Sequence, residues 1–215
     1  MDTMNPPLHD AQDTENLQNL YARTSYLLRE SRKDILQSYQ VDCEAALLEK
    51  IQCGALPQHP AYESYLSALI LEQSRMQIRA EMLAQLSTGN SDETPAISLH
   101  LLLKNHIESN YADRLTQPVQ LAQDALLLYF DTGLMMELRY FSSEEYSINW
   151  HWGDAGLRID TAPMHTENKQ SSQHLHNAEA LVLACNIMQA GRDCQLNFSG
   201  LLNILLTDPL LESNT

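Results

Sequence analysis

The sequence predicts an α+β fold in which an N-terminal helical hairpin packs on an antiparallel β-meander that is followed by a C-terminal helix. Three observations carry this. Residues recur at steps of three and four from Leu17 to Ile51 and again from Tyr62 to Leu83, the spacing of two long amphipathic helices. From Tyr146 to Trp152 the period drops to two, with Tyr146, Ile148, Trp150 and Trp152 on one face and Ser147, Asn149 and His151 on the other. Short turn signals at Asp131-Thr132-Gly133, Ser142-Ser143-Glu144-Glu145 and Gly153-Asp154-Ala155-Gly156 separate the apolar runs, at the intervals of hairpin-connected strands.

Residues 1–12, rich in Pro, Asp and Asn and without periodicity, are expected to be a flexible tail. The first helix is expected from Asp13 until Gly54, since no Gly or Pro interrupts it earlier. His59-Pro60 leads into the second helix, whose stripe is Tyr62, Leu66, Leu69, Gln73, Met76, Ala80 and Leu83. The short connection makes the two helices antiparallel neighbours, so residues 13–87 form the hairpin. Residues 88–96 read as a linker, with Thr94-Pro95 offering a helix cap and first-turn proline. The stretch 97–111 fits a helix through Ile97, Leu101 and Ile107, but Ile97, Leu99, Leu101 and Leu103 also alternate as a strand would.

The α+β domain is expected to span 97–215. Residues 113–123 form an irregular approach with a short extended piece, and the runs 124–130 and 134–141 pair about the Gly133 turn. The strand from Tyr146 follows, and then a short strand, Leu157 to Asp160, that Pro163 must end. His174-Leu175-His176 opens another extended segment, and Leu181 to Cys185 fits a central fifth strand. Residues 190–193 are turn-like, and Leu196 to Leu206 reads as the last helix, stopped by Asp208-Pro209. The sheet is thus expected to hold four to six strands, covered by the N-terminal helices.

Composition narrows the partners. The 215 residues carry 28 acidic and 13 basic side chains, a formal charge of −15, and 44% are hydrophobic, enough for a core without staples. Beyond residue 90 there are 16 acids and 6 bases. Phosphate neutralisation needs a basic patch, so strong autonomous nucleic-acid binding is not expected; a protein partner, or self-association through the hairpin, is. No run has the apolar length of a membrane helix, and the acidic N-terminus does not resemble a secretory leader, so a cytoplasmic location is expected. The four cysteines, Cys43, Cys53, Cys185 and Cys194, lack the close spacing of zinc ligands and read as reduced thiols.

The chemistry-bearing residues cluster after the meander. Asp160 and His165 flank Pro163, and His174 and His176 stand two apart on one face of an extended segment. Two imidazoles so placed can share a metal or flank a phosphate, and His165 would join them if the loop folds back; with Asp160 they could also move protons. No third spacing fixes a metal set, so the cofactor stays open.

The order in residues 124–211, an apolar hairpin, Tyr146 to Trp150, Asp160-Thr161-Ala162-Pro163-Met164-His165, then His174-Leu175-His176-Asn177 and a leucine-rich helix, resembles the TumE-type toxins of toxin-antitoxin modules. Those proteins carry a hairpin, a Tyr-x-x-x-Trp-like strand, an Asn-Ala-Pro-His-like element and a His-x-His. Thr161 replaces the Asn, Met164 separates Pro163 from His165, and the helical hairpin has no counterpart there. The resemblance implies a toxin or an inactive relative acting on RNA or nucleotides through His165, His174, His176 and Asp160. The alternative is a non-catalytic interaction or scaffold protein that binds another chain through its hairpin.

Overall fold

A computed structural model describes residues 8–86, 98–163, 173–179 and 181–212. The helices are α1 (Leu8–Ser38), α2 (Glu44–Gln52), α3 (Gln58–Leu86), α4 (Leu99–Tyr111) and α5 (Cys194–Leu205). The strands are β1 (Gln120–Leu121), β2 (Leu126–Tyr129), β3 (Met135–Tyr140), β4 (Tyr146–Trp152), β5 (Ala155–Asp160), β6 (His174–His176) and β7 (Val182–Ala184). They form one seven-stranded antiparallel sheet in sequential order, so the expected α+β meander is present with more strands than the four to six foreseen.

The hairpin departs from the expectation at both ends of its first arm. Helix α1 begins at Leu8, inside the expected tail, and stops at Ser38 without any Gly or Pro. Gln40 takes φ 55° there, the Val41 N–H donates to the Leu36 carbonyl and the Gln40 N–H to the Gln37 carbonyl, which is a Schellman cap built on glutamine. Lys50 on α2 secures the break by donating from Nζ to the carbonyls of Tyr39 (3.0 Å) and Gln40 (3.3 Å). The redirected α2 then buries Leu47 and Ile51 beside Leu36, Tyr62 and Leu66. Gly54, at φ 74°, ends α2 as the sequence suggests. Along α3 the apolar stripe is buried only through Leu71; Met76 (54% exposed) and Leu83 (64% exposed) stand in the open.

Of the stretch 97–111, Leu99–Tyr111 is helix α4, capped by Ser98, whose side chain accepts from the Leu101 N–H; Ile97 lies outside the described residues. Thr94 and Pro95 lie outside the described residues. Within the run 181–185, Val182–Ala184 forms β7, which among the described residues is an edge strand and not a central one, because β6 pairs it on one side only. Helix α5 starts slightly earlier than foreseen, capped by the Asp193 carboxylate on the Leu196 N–H. All four cysteines are free, Cys185 and Cys194 buried, Cys43 and Cys53 exposed. No helix among the described residues is long and apolar enough to cross a membrane.

The two faces of the sheet are covered in a way the sequence pattern does not reveal. The apolar face, with Leu126, Leu128, Leu138, Ile148, Trp150 and Ile159, packs against α4 and α5 through Leu103, Ile107, Phe198, Leu201 and Leu205. The N-terminal hairpin lies instead against the polar face. Its own core joins α1, α2 and α3 and, among the described residues, takes in Ala162 and Phe141 just beyond the ends of β5 and β3. The rest of that seam is polar: Ser67 Oγ donates to Asp124 (2.6 Å), Arg139 Nε to Asp124 (3.2 Å), and the Tyr65 hydroxyl to Glu145 (3.0 Å).

One titrating group sits at the end of β3, an interior strand. His100 on α4 is buried, and its Nε2 accepts from the Tyr140 N–H at 3.0 Å. Burial pushes its pKa down to about 4, with Arg139 adding and Asp124 opposing. A folded-state pKa below the unfolded one means that the unfolded chain binds more protons, so stability is complete above about pH 6.5 and drains as the pH falls toward 4. The expected loss from this group between pH 7 and pH 4.5 is on the order of 2–3 kcal/mol. His100→Gln keeps an acceptor for Tyr140 without the titration. Urea unfolding at both pH values should show that much less pH dependence in the variant, and equal dependence in both proteins would exclude His100 as the source.

Candidate functional site

Where α3 meets the sheet, one carboxylate gathers three imidazoles. Asp160 is the last residue of β5 and fully buried. The antiparallel register sets Asp160 opposite His174 and Arg158 opposite His176. Positions two apart on a strand share a face, so all four side chains emerge on the polar side, toward the hairpin. From the other direction comes His59, which has extended backbone (φ −120°, ψ 139°) immediately before Pro60, as residues preceding proline prefer.

The distances make one cluster. His176 Nε2 lies 3.1 Å and His59 Nε2 3.4 Å from Asp160 Oδ2, and His174 Nδ1 is 3.9 Å from Oδ1. Arg158 donates from Nε to Oδ2 (3.0 Å), and the Ala162 N–H donates to Oδ1 (2.9 Å). The rings of His59 and His176 meet edge to face, with centroids 4.9 Å apart. The three ring nitrogens facing the carboxylate are buried, yet none has a well-directed hydrogen bond among the described residues. Buried polar atoms rarely stay unsatisfied, so the cluster is a candidate for binding or catalysis.

A second layer orders the first. His59 Nδ1 is 2.9 Å from both oxygens of Glu63, one helical turn along α3, and Arg158 Nη1 is 3.1 Å from Glu63. Burial alone would raise the Glu63 carboxyl, but the His59 hydrogen bond and the charges of His59 and Arg158 hold it below its usual range. Glu63 fixes the orientation of the His59 ring and turns Nε2 toward Asp160. Asp160 behaves similarly: burial pushes its carboxyl up, and His174, His176, His59 and the Ala162 N–H together hold it well below the usual carboxylate range. Next to it, Thr161 and the Tyr62 hydroxyl hydrogen-bond at 2.9 Å, and Gln58 donates to the Pro163 carbonyl (3.1 Å). These contacts fix the start of α3 to the end of β5.

Of the residues the sequence singled out, Asp160, His174 and His176 come together, and His165 lies outside the described residues. His59, Glu63 and Arg158 were not foreseen. The spacing His59-Pro60-x-x-Glu63 offered a signal for one pair, a histidine four residues ahead of an acid at a helix start, but nothing local links it to residues a hundred positions away. The arrangement can hold a cation between a carboxylate and two imidazoles, or pass protons between Asp160 and the rings. Protein-family models, curated proteins and solved structures were each compared with this chain, and none matches it.

Proposed function

We propose that this chain is a TumE-like toxin, or an inactive relative of one, and that the Asp160 cluster is the centre through which such a toxin acts on RNA or on a nucleotide. The observation that carries this reading is the buried carboxylate ringed by imidazoles whose facing nitrogens have no well-directed hydrogen bond among the described residues. Imidazoles beside a carboxylate can supply a general acid and base for phosphoester chemistry, and Arg158 adds a cation. The charge of −15 means that substrate binding depends on local cations at the site and not on a basic surface.

Induction of the wild-type chain in a bacterial host, beside His59→Ala, His165→Ala, His174→Ala and His176→Ala, tests the reading. Growth arrest by wild type, relieved in folded variants at His59 and His176, is the expected result, accompanied by cleaved or modified RNA. Unimpaired growth in every strain would overturn the toxin reading and favour the second one, an interaction protein. That second reading draws on the far part of the hairpin, where Leu20, Tyr26, Leu27, Met76 and Leu83 are all exposed, an unusual set for one surface element.

A further inference from the structure

We infer that His59, Asp160 and His176 bind one divalent transition-metal ion of the zinc or ferrous-iron class. The inference shares its residues with the functional reading above and rests on that reading only for the centre's use, since metal binding is measurable whether or not the chain is toxic.

The geometry points to it in three ways. The candidate ligand atoms, His59 Nε2, Asp160 Oδ2 and His176 Nε2, all lie within 4.8 Å of one another, and the two edges to Asp160 are 3.4 and 3.1 Å. Ligands bonded at about 2.1 Å to a tetrahedral or octahedral ion stand roughly 3.0–3.4 Å apart, so both edges already have the span of a coordination polyhedron. The two imidazole nitrogens are buried against the Asp160 carboxylate without a directed hydrogen bond among the described residues, so a neutral ring could turn either one to an ion without giving up another partner. Finally, Glu63 holds the opposite nitrogen of His59, the carboxylate–histidine arrangement that orients a ligand and raises its basicity.

Charge and ligand type select the ion. Ionised Asp160 and Glu63 against Arg158 leave one net negative charge beside the two imidazoles, which suits a divalent cation that binds them in their neutral form. Two nitrogen donors favour zinc, iron or cobalt over magnesium or calcium, which take oxygen. With three protein ligands, coordination positions remain for water or a phosphate oxygen, and an ion held so can lower the pKa of its water or polarise a phosphoryl group. His174 approaches the other carboxylate oxygen and acts as a positioning residue for Asp160.

The test uses the full chain, stripped with a chelator and titrated with Zn2+ by calorimetry and with Co2+ by visible absorption. One equivalent should bind, and the Co2+ bands should report nitrogen ligation without thiolate charge transfer, which excludes Cys43 and Cys53 as the donors. His59→Ala, His176→Ala and Asp160→Asn should each weaken binding at least 100-fold. Glu63→Gln, which leaves every ligand in place, should weaken it about 10- to 100-fold. His106→Ala, at a histidine bonded to Ser199 on another face, should change nothing. Circular dichroism checks that each variant is folded, and Mg2+ should not compete. Absence of stoichiometric Zn2+ binding by the folded wild type overturns the inference, as does binding that survives the three ligand substitutions. Metal binding without growth arrest would leave the site standing and remove the toxin reading; arrest without metal binding would do the reverse.

Discussion

Trp150→Ala should destabilise the chain by roughly 3–5 kcal/mol, the range for truncating a fully buried aromatic. Trp150 has no exposed surface, lies between Met136 on β3 and Leu157 on β5, and donates from Nε1 to the Pro209 carbonyl at 2.8 Å. Its removal would therefore open a cavity in the main core and leave a carbonyl beyond α5 without its donor. Chemical denaturation at neutral pH measures the loss. Trp150→Phe separates the two contributions, because it keeps most of the packing and removes the hydrogen bond, and should cost clearly less. A loss below about 1 kcal/mol for the alanine variant would show that the sheet's apolar face is not the core.

Asp160→Ala should cost a comparable amount, on the order of 3–5 kcal/mol, for a different reason. The carboxylate is buried and pairs with Arg158, so truncation takes one of the guanidinium's two carboxylates, leaves three imidazoles without the group they face and frees the Ala162 N–H. Breaking a buried pair by removing one member is far more damaging than never having built it. Asp160→Asn retains the shape and an acceptor for Ala162 and should recover part of the loss. Both variants, unfolded by urea in metal-free buffer beside wild type, give the numbers. Equal stability of Asp160→Ala and wild type would mean that the seam between hairpin and sheet is solvated and that the cluster contributes little to the fold.

These two residues mark the limits of reading the chain as a string. Trp150 announced its environment, since the alternation puts Tyr146, Ile148 and Trp150 on one face and all three are buried there; Trp152, expected with them, is exposed, and Ser147 on the other face is fully buried. Asp160 announced only its proximity to Pro163 and the histidines. The break at Gln40 was silent because a non-glycine residue took the left-handed conformation, at a cost that the Lys50 contacts and the packing of α2 offset. Residues 97–111 were ambiguous because alternate leucines satisfy both periods, and the Ser98 cap and the burial of Leu103 and Ile107 against α5 decided for helix. The run 181–185 looked central because it is apolar, yet it sits at an edge with Leu181 and Val182 exposed.

What the sequence determined by itself is whatever depends on neighbours along the chain: two periods, the turns at Gly54 and Gly133, and the pairing of His174 and His176 on one face. Register then put Arg158 and Asp160 opposite those histidines, because antiparallel pairing through an intervening segment fixes which residues face each other. The tertiary structure alone decided which cover lay on which face. The apolar side of the sheet is taken by α4 and α5, so the hairpin docks on the polar side through ion pairs and hydroxyls. That choice carries His59 and Glu63 to Asp160 across about a hundred residues of sequence, and long-range docking of this kind leaves no periodic trace in the residues that it joins.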